Sequence, residues 1–495
     1  MTNPHSGPDV PVRPLDPWSG AGAPHTPYNL VIALIALVQL INTADFMLVG
    51  VALPSIGRDL AVSNTLAGWV VSINALTYAG FVMLGGRLSD LIGQRRCTIF
   101  GLALFSLGST LAFLSPRIEF LLAARAIQGV GNAIMCPATF AMLNTLLPPG
   151  PIRNRGYGVY GITQGLSTLV GAGLGGVFTT AFGWRSVFLL TLPFALSAIA
   201  IAFLAVPKAS AHRTRRALDY WGAVLITGST TLLILGLSSL HRPGWIGAPD
   251  GAGSLVAGAA LLAVFLLVEG RLKDPLVPLK MFSFPAVMTS NLAIGCGVAA
   301  TTGLMLLVNL YMQRVLGYSA MQAGFGIIPF AVGGIIGGQC LGLFLSRFSI
   351  RANALTGFGI YLAGILFFGS LSSTDGYLAH IGPGLAVAGF SSVFGLLAAM
   401  ARATAAVPHD DQGAASGIVY VSQKLGRAVG TSVALTVLAA CAAQQLDIVV
   451  SYRVSFVALG GLLALALLGL ALPTRPVATA DIVPLRPRAS GAGEA

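Results

Sequence analysis

Charge is scarce in this 495-residue chain: Asp, Glu, Lys and Arg together make up 9% of it, against 55% hydrophobic residues. A soluble domain of this size needs far more surface charge, so the composition excludes a soluble protein. The five cysteines stand singly, with no C-x-x-C or Cys/His grouping, and support neither a disulfide framework nor a metal site. Residues 1–27 lack the basic start and short apolar core of a signal peptide.

The chain has instead fourteen long apolar runs. Roughly 20 apolar residues cross a bilayer as a helix, and unbroken rather than alternating runs exclude a β-barrel. The sequence therefore predicts an all-α membrane protein with fourteen transmembrane helices. We expect a disordered cytoplasmic tail (1–27), a six-helix bundle (28–207), linkers with an inserted helix pair (208–285), a second six-helix bundle (286–473) and a disordered cytoplasmic tail (474–495).

Basic residues are distributed unevenly between the two sides of the predicted helices. If the N-terminus is cytoplasmic, the inner segments hold 19 Lys or Arg and the outer segments hold six. Since cytoplasmic loops collect basic residues, this bias places both tails inside. It also explains the net charge of +12 without a nucleic-acid partner. The excess of Arg over Lys, with 62 Gly, suggests a GC-rich bacterial genome and hence a bacterial plasma membrane.

One short link between helices has an unusual composition. The second and third helices, predicted over 66–85 and 97–115, are joined by Gly86–Arg96, in which Asp90 lies between Gly86 and Gly93 and is followed by Arg95 and Arg96. Asp90 can accept hydrogen bonds from backbone N–H groups at a neighbouring helix N-terminus and from Arg95 or Arg96. We expect these residues to form a gating loop, although a simple polar cap is the alternative.

Four segments together resemble the fourteen-helix drug:proton antiporter branch of the major facilitator superfamily. Gly86–Arg96 resembles its loop signature G-x-L-x-D-x-x-G-x-[RK]-[RK], and Ala44–Pro54 resembles L-D-x-T-x-V-N-V-A-L-P. Arg125–Gly131 resembles R-x-x-Q-G-x-G, and Gly171–Gly176 resembles the antiporter signature G-P-x-x-G-G. The resemblance implies two six-helix bundles plus two inserted helices, and proton-driven export of drugs or antibiotics by alternating access.

The chain departs from this pattern at several positions. The motif proline of helix 5 is Ala172, the Thr and Asn of helix 1 are Met47 and Gly50, and a basic residue of the loop is Leu91. These departures concern the proton-antiport motifs and leave the fold assignment unchanged. The helix 5 glycines most simply permit close helix packing; they are Gly171, Gly173, Gly175 and Gly176.

Asp45 is the one carboxylate of the 16 acidic residues that lies well inside a predicted helix. A carboxylate at membrane depth usually marks a proton path, and burial disfavours its charged form. Asp45 is nine residues, ~13 Å, from the outer end of helix 1, and Arg125 is seven residues, ~10 Å, from the outer end of helix 4. We therefore expect an Asp45–Arg125 pair that holds when Asp45 is ionised and loosens when it is protonated. A purely structural ion pair is the alternative.

Helix 13 carries a stripe at steps of three and four residues that includes Tyr420, Lys424 and Arg427. Lys424 lies ~18 Å from the inner end, so these cations must face a wet cavity or a partner. If Asp45 matches Arg125, the cavity is positive, which favours neutral, zwitterionic or anionic substrates over dications. Buried amides more often tie helices together than bind substrate. With that alternative open, the further candidates for the cavity are Asn42, Asn74, Tyr78, Gln128, Asn132, Gln164 and Asn291.

The leading interpretation is a monomeric exporter that binds a small-molecule substrate and protons in the lipid bilayer and needs no cofactor beyond the proton gradient. Uptake or uniport of a small metabolite by the same fold is an alternative. A membrane-embedded enzyme is a further alternative, but the six His lie in tails, loops or helix ends without an acidic cluster. A channel is disfavoured because no filter-like segment is present.

Overall fold

The computed structural model describes residues 27–207, 219–239, 251–272, 279–371, 376–405, 407–408 and 411–472. Every regular element in these ranges is helical. The two predicted tails, apart from Pro27, and the linker 208–218 lie outside the described residues. We number the helices α1 (Tyr28–Asp59), α2 (Asn64–Ile92), α3 (Gln94–Phe113), α4 (Ile118–Thr145), α5 (Pro151–Phe182), α6 (Ser186–Leu190 and Leu192–Ala205), α7 (Tyr220–Ser239), α8 (Ala252–Glu269), α9 (Pro285–Arg314), α10 (Ala320–Phe325 and Ile328–Phe344), α11 (Ile350–Phe368), α12 (a π turn, Tyr377–Ile381, then Gly382–Ala405), α13 (Gln412–Ala443) and α14 (Ile448–Ala471).

Thirteen of these helices are long and apolar enough to cross a membrane, and α7 supplies a shorter apolar stretch, Trp221–Leu237. Local signals set several helix starts. Ser63, the residue preceding α2, accepts a hydrogen bond from the Leu66 backbone N–H. Asp447, the residue preceding α14, accepts one from the Val449 backbone N–H. The predicted all-helical, fourteen-helix membrane fold is confirmed.

The boundary between α2 and α3 corrects one expectation. The sequence predicts that the second helix ends at residue 85 and that Gly86–Arg96 is a loop. In the structure α2 continues to Ile92 and α3 begins at Gln94, so Gly93 alone separates them. Gly93 has a φ of 94°, a conformation that a residue with a side chain rarely adopts. Asp90 therefore projects from the last turn of a helix.

The helices form two groups, α1–α6 and α9–α14, which we call the N-terminal and C-terminal halves. The halves contact each other mainly through α5 against α10 and α2 against α13. Glycines allow the first approach: a Cβ on Gly161 would lie 2.6 Å from the Gly338 Cα. Helices α7 and α8 pack together, and α7 contacts both α2 and α13. Thr227 of α7 donates to the Gly80 carbonyl of α2 at 2.7 Å. The helix pair therefore lies against the α2–α13 seam.

Candidate functional site

A buried ion pair joins α1 to α4 in the N-terminal half. Arg125 Nη1 donates to both carboxylate oxygens of Asp45, at 3.0 Å and 2.8 Å. Arg125 is 0% exposed and Asp45 is 3% exposed. The contact expected from the depths of the two residues is therefore present. Because a charge in a low-dielectric interior is costly alone, each partner depends on the other.

Other groups hold Arg125 in place independently of Asp45. Its Nε donates to the Val70 carbonyl of α2 at 3.0 Å, and its Nη1 also donates to Gln128 Oε1 at 2.7 Å. Gln128 in turn donates to Ser109 of α3 at 2.7 Å. Gln128, expected to line the cavity, is thus part of the network around the ion pair. Arg125 would keep these two acceptors if Asp45 were protonated.

A second charged site fastens α2 of the N-terminal half to α13 of the C-terminal half. Asp90 accepts hydrogen bonds from the Gly413 N–H at 2.7 Å and the Ala414 N–H at 2.9 Å, at the start of α13. A carboxylate is favoured there because the first N–H groups of a helix lack helical partners. The backbones touch nearby: a Cβ on Gly86 would lie 2.4 Å from the Gly413 carbonyl oxygen. We call the contacts of Gly86 and Asp90 with Gly413 and Ala414 the α2–α13 gate.

The basic partners of the gate differ from those expected. Arg95 donates to the Phe203 carbonyl of α6 at 2.8 Å, and Arg96 is exposed, so in the described residues neither bonds Asp90. The cation at the gate is instead Arg87, which is 2% exposed and lies 3.6 Å from Asp411. Arg87 was not predicted as a gate residue because the polar composition of Gly86–Arg96 indicates an exposed loop.

Asn144 of α4 forms another polar connection between the halves, and the sequence analysis missed it too. Its Nδ2 donates to Thr404 of α12 at 2.9 Å and to Gln412 of α13 at 3.2 Å. Its Oδ1 accepts from Tyr157 of α5 at 3.0 Å. Because Asn144 lies near the same end of the bundle as Asp90, both contacts close that end.

The stripe predicted on α13 faces the N-terminal half. Lys424 Nζ lies 3.6 Å from the centre of the Tyr78 ring of α2, and the hydroxyls of Tyr420 and Tyr160 lie 2.9 Å apart. One turn further from the gate, the Arg427 guanidinium lies 5.8 Å from the Phe46 ring of α1. Arg427 and Phe46 are both exposed, Phe46 by 41%. The two halves are thus in tight contact at the gate and separate towards Arg427.

Most of the amides expected to line the cavity bond to protein groups instead. Asn74 donates to the Arg125 carbonyl at 3.3 Å, and Asn291 accepts from Ser422 of α13 at 3.1 Å. Gln164 contacts the Tyr160 hydroxyl. Asn132 is 1% exposed, and its Oδ1 has no hydrogen-bond partner in the described residues. Asn42 and Gln164 are partly exposed, whereas Asn74, Asn132 and Asn291 are buried and tie helices together or are enclosed rather than lining an open cavity.

The four helix 5 glycines do not share one role. A Cβ on Gly171 would lie 2.6 Å from the Met47 side chain of α1, and one on Gly175 would lie 3.3 Å from the Leu48 Cα. Gly173 and Gly176 would meet nothing within 4 Å. The packing interpretation is therefore wrong for Gly173 and Gly176.

Two helical halves that close against each other at one end, with a buried ion pair inside the N-terminal half and cations of the C-terminal half facing it, are typical of a secondary transporter. The chain belongs to the Major Facilitator Superfamily, whose family model matches residues 35–431. The resemblance inferred from the motifs is thus confirmed.

Curated relatives and solved structures agree with this assignment. The chain is 35% identical over 414 residues to the cephamycin export protein CmcT of Amycolatopsis lactamdurans, covering 82% of this chain and 84% of that protein. It is 32% identical over 436 residues to the puromycin resistance protein pur8 of Streptomyces alboniger, covering 87% and 85%. The proton:xylose symporter XylE shares the fold, with a TM-score of 0.64 at 17% identity over 89% of this chain and 94% of that one. The protein is a multi-pass membrane transporter of small molecules, and the enzyme alternative is not supported.

Proposed function

We propose that this transporter exports lipophilic drugs or antibiotics across the bacterial plasma membrane by proton antiport, with both termini in the cytoplasm. The observation that carries the proposal is the buried Asp45–Arg125 pair. Two relatives, a cephamycin export protein and a puromycin resistance protein, support export as the direction.

Protonation of Asp45 removes one charge from the pair while Arg125 keeps its bonds to Val70 and Gln128. Such a step weakens the attraction between α1 and α4 without leaving Arg125 alone. The pair therefore has the properties of a proton carrier that biases the packing of α1 against α4.

Close packing links the ion pair to the gate. A Cβ on Gly129 of α4 would lie 2.0 Å from Thr77 Oγ1 of α2, and one on Gly85 of α2 would lie 2.1 Å from the Ala133 carbonyl of α4. Helices packed this closely move together. A shift of α4 at Arg125 is thereby passed to α2, whose last turn carries Asp90.

Everted membrane vesicles from a pump-deficient host test the proposal. With the pH gradient generated by respiration, wild-type vesicles should concentrate a cephamycin, and Asp45→Asn vesicles should not. Asp45→Asn should still exchange labelled for unlabelled compound, because the substrate site is unchanged. The matched control is Asp59→Asn, on the same helix but half-exposed and paired with Arg185. Concentration by the Asp45→Asn protein would place coupling elsewhere. Movement by the wild type only down the compound's own gradient would indicate uniport.

A further inference from the structure

Two cations of α13 have aromatic faces as neighbours. Lys424 Nζ lies 3.6 Å from the Tyr78 ring centre, and Arg427 Cζ lies 5.8 Å from that of Phe46. The two cations are three residues apart, so their side chains leave the same face of the helix. An aromatic face attracts a cation through its quadrupole, but it does not neutralise a full charge.

No carboxylate within the described ranges lies within salt-bridge distance of Lys424 or Arg427. Asp45, which precedes Phe46 on α1, does not serve as their counter-ion, because both of its carboxylate oxygens accept hydrogen bonds from Arg125. Neither cationic side chain donates a hydrogen bond to a described residue. The space between the halves therefore carries two positive charges that the described part of the protein leaves unmatched.

The packing of α13 prevents these cations from turning towards lipid. On the side of the helix that packs against α9, a Cβ on Gly426 would lie 2.4 Å from the Gly295 carbonyl, and one on Gly430 would lie 2.0 Å from the Ala299 carbonyl. Both carbonyls belong to α9. Rotation of α13 would drive its side chains into this backbone, so Lys424 and Arg427 are fixed facing the N-terminal half.

We propose that the substrates of this transporter are organic anions with an apolar ring body. The acid group binds between Lys424 and Arg427, and the rings lie against Phe46, which is 41% exposed. The proposal rests on the proposed export function and specifies its substrate class. It also gives the residues separate tasks, since the two cations select the charge of the substrate while the exposed Phe46 face accepts rings of different shape.

A pair of dyes with the same three-ring body and opposite charge tests this directly. Fluorescein is an anion at neutral pH and rhodamine 123 is a cation. Fluorescence polarisation with the purified full-length protein in detergent should show at least tenfold tighter binding of fluorescein. Lys424→Gln and Arg427→Gln should each weaken fluorescein binding about tenfold and leave rhodamine 123 binding unchanged or tighter. Lys424→Arg, which keeps the charge, should retain most of the affinity and shows that position 424 tolerates replacement.

Equal affinity of the wild type for the two dyes, or fluorescein binding unchanged in both Gln variants, would overturn the proposal. Binding in detergent needs no proton gradient, so its outcome is separate from that of the vesicle experiment. Anion preference without gradient-driven transport would refute only the antiport proposal. Gradient-driven transport of a cation without anion preference would refute only the substrate class.

Discussion

Removal of the Asp90 carboxylate should open the α2–α13 gate. In Asp90→Ala the N–H groups of Gly413 and Ala414 lose an ionised acceptor at 2.7 Å and 2.9 Å. A hydrogen bond to a charged group contributes about 1.5–3 kcal/mol. Since water replaces part of the two lost bonds, we expect the closed state to lose about 3 kcal/mol. Because 1.4 kcal/mol is a tenfold change in an equilibrium constant, the closed-to-open ratio should fall about 100-fold.

Spin-label distances measure this change. Ile92 at the end of α2 and Phe348 between α10 and α11 are exposed, by 41% and 54%, and lie at the gate end of the two halves. Labels there should show a longer distance in Asp90→Ala than in the wild type. Labels at Leu114 and Leu378, exposed by 64% and 84% at the opposite end, should show a shorter one if access alternates.

Two variants make the result specific. Asp90→Asn keeps one neutral acceptor, so its loss should be smaller, about 1–2 kcal/mol. Arg95→Ala removes a bond to Phe203 inside the N-terminal half and should leave the distances unchanged. A distance distribution in Asp90→Ala identical to that of the wild type would refute the assignment of Asp90 as a latch.

Three further substitutions test helix packing, two between the halves and one inside the N-terminal half. Gly86→Ala should also favour the open gate, since its Cβ would lie 2.4 Å from the Gly413 oxygen, and the same label pair would report a lengthened distance. Asn144→Ala loses two hydrogen bonds to the C-terminal half, so the closed state should lose about 1–2 kcal/mol and the closed-to-open ratio should fall about tenfold. The same label distances measure this change. Gly171→Ala should crowd α1 and lower the midpoint of thermal unfolding, at a cost of about 1–3 kcal/mol. Gly173→Ala should leave the midpoint unchanged, because its Cβ would meet nothing within 4 Å. Equal unfolding midpoints for the two variants would contradict the packing assignment.

Features governed by a single helix were predictable from the sequence. Apolar runs of about 20 residues fix the number of helices. The 1.5 Å rise per residue places Asp45 and Arg125 at matching depth in antiparallel helices, where the structure pairs them. The face shared by Lys424 and Arg427 follows from helical periodicity in the same way.

Features that depend on which helices are neighbours were not predictable. Nothing in the local sequence shows that Asn144 reaches Thr404 and Gln412, since these residues are separated by more than 250 positions. The glycine pattern of α5 is equally ambiguous. Gly161 contacts α10 while Gly173 faces open space, and only the positions of the neighbouring helices distinguish them. The end of α2 was misplaced because polar residues suggested a loop, whereas burial of Arg87 against the C-terminal half stabilises the helix.

Proton movement coupled to substrate movement tests the central claim most directly. Proteoliposomes would be loaded with the pH dye pyranine and with the compound against which the wild type gives the greatest resistance, then diluted into compound-free buffer of the same pH. Antiport through Asp45 predicts that efflux of the compound acidifies the lumen in the wild type and causes no pH change in Asp45→Asn. Efflux without any pH change in the wild type, or equal acidification by the Asp45→Asn protein, would contradict the account.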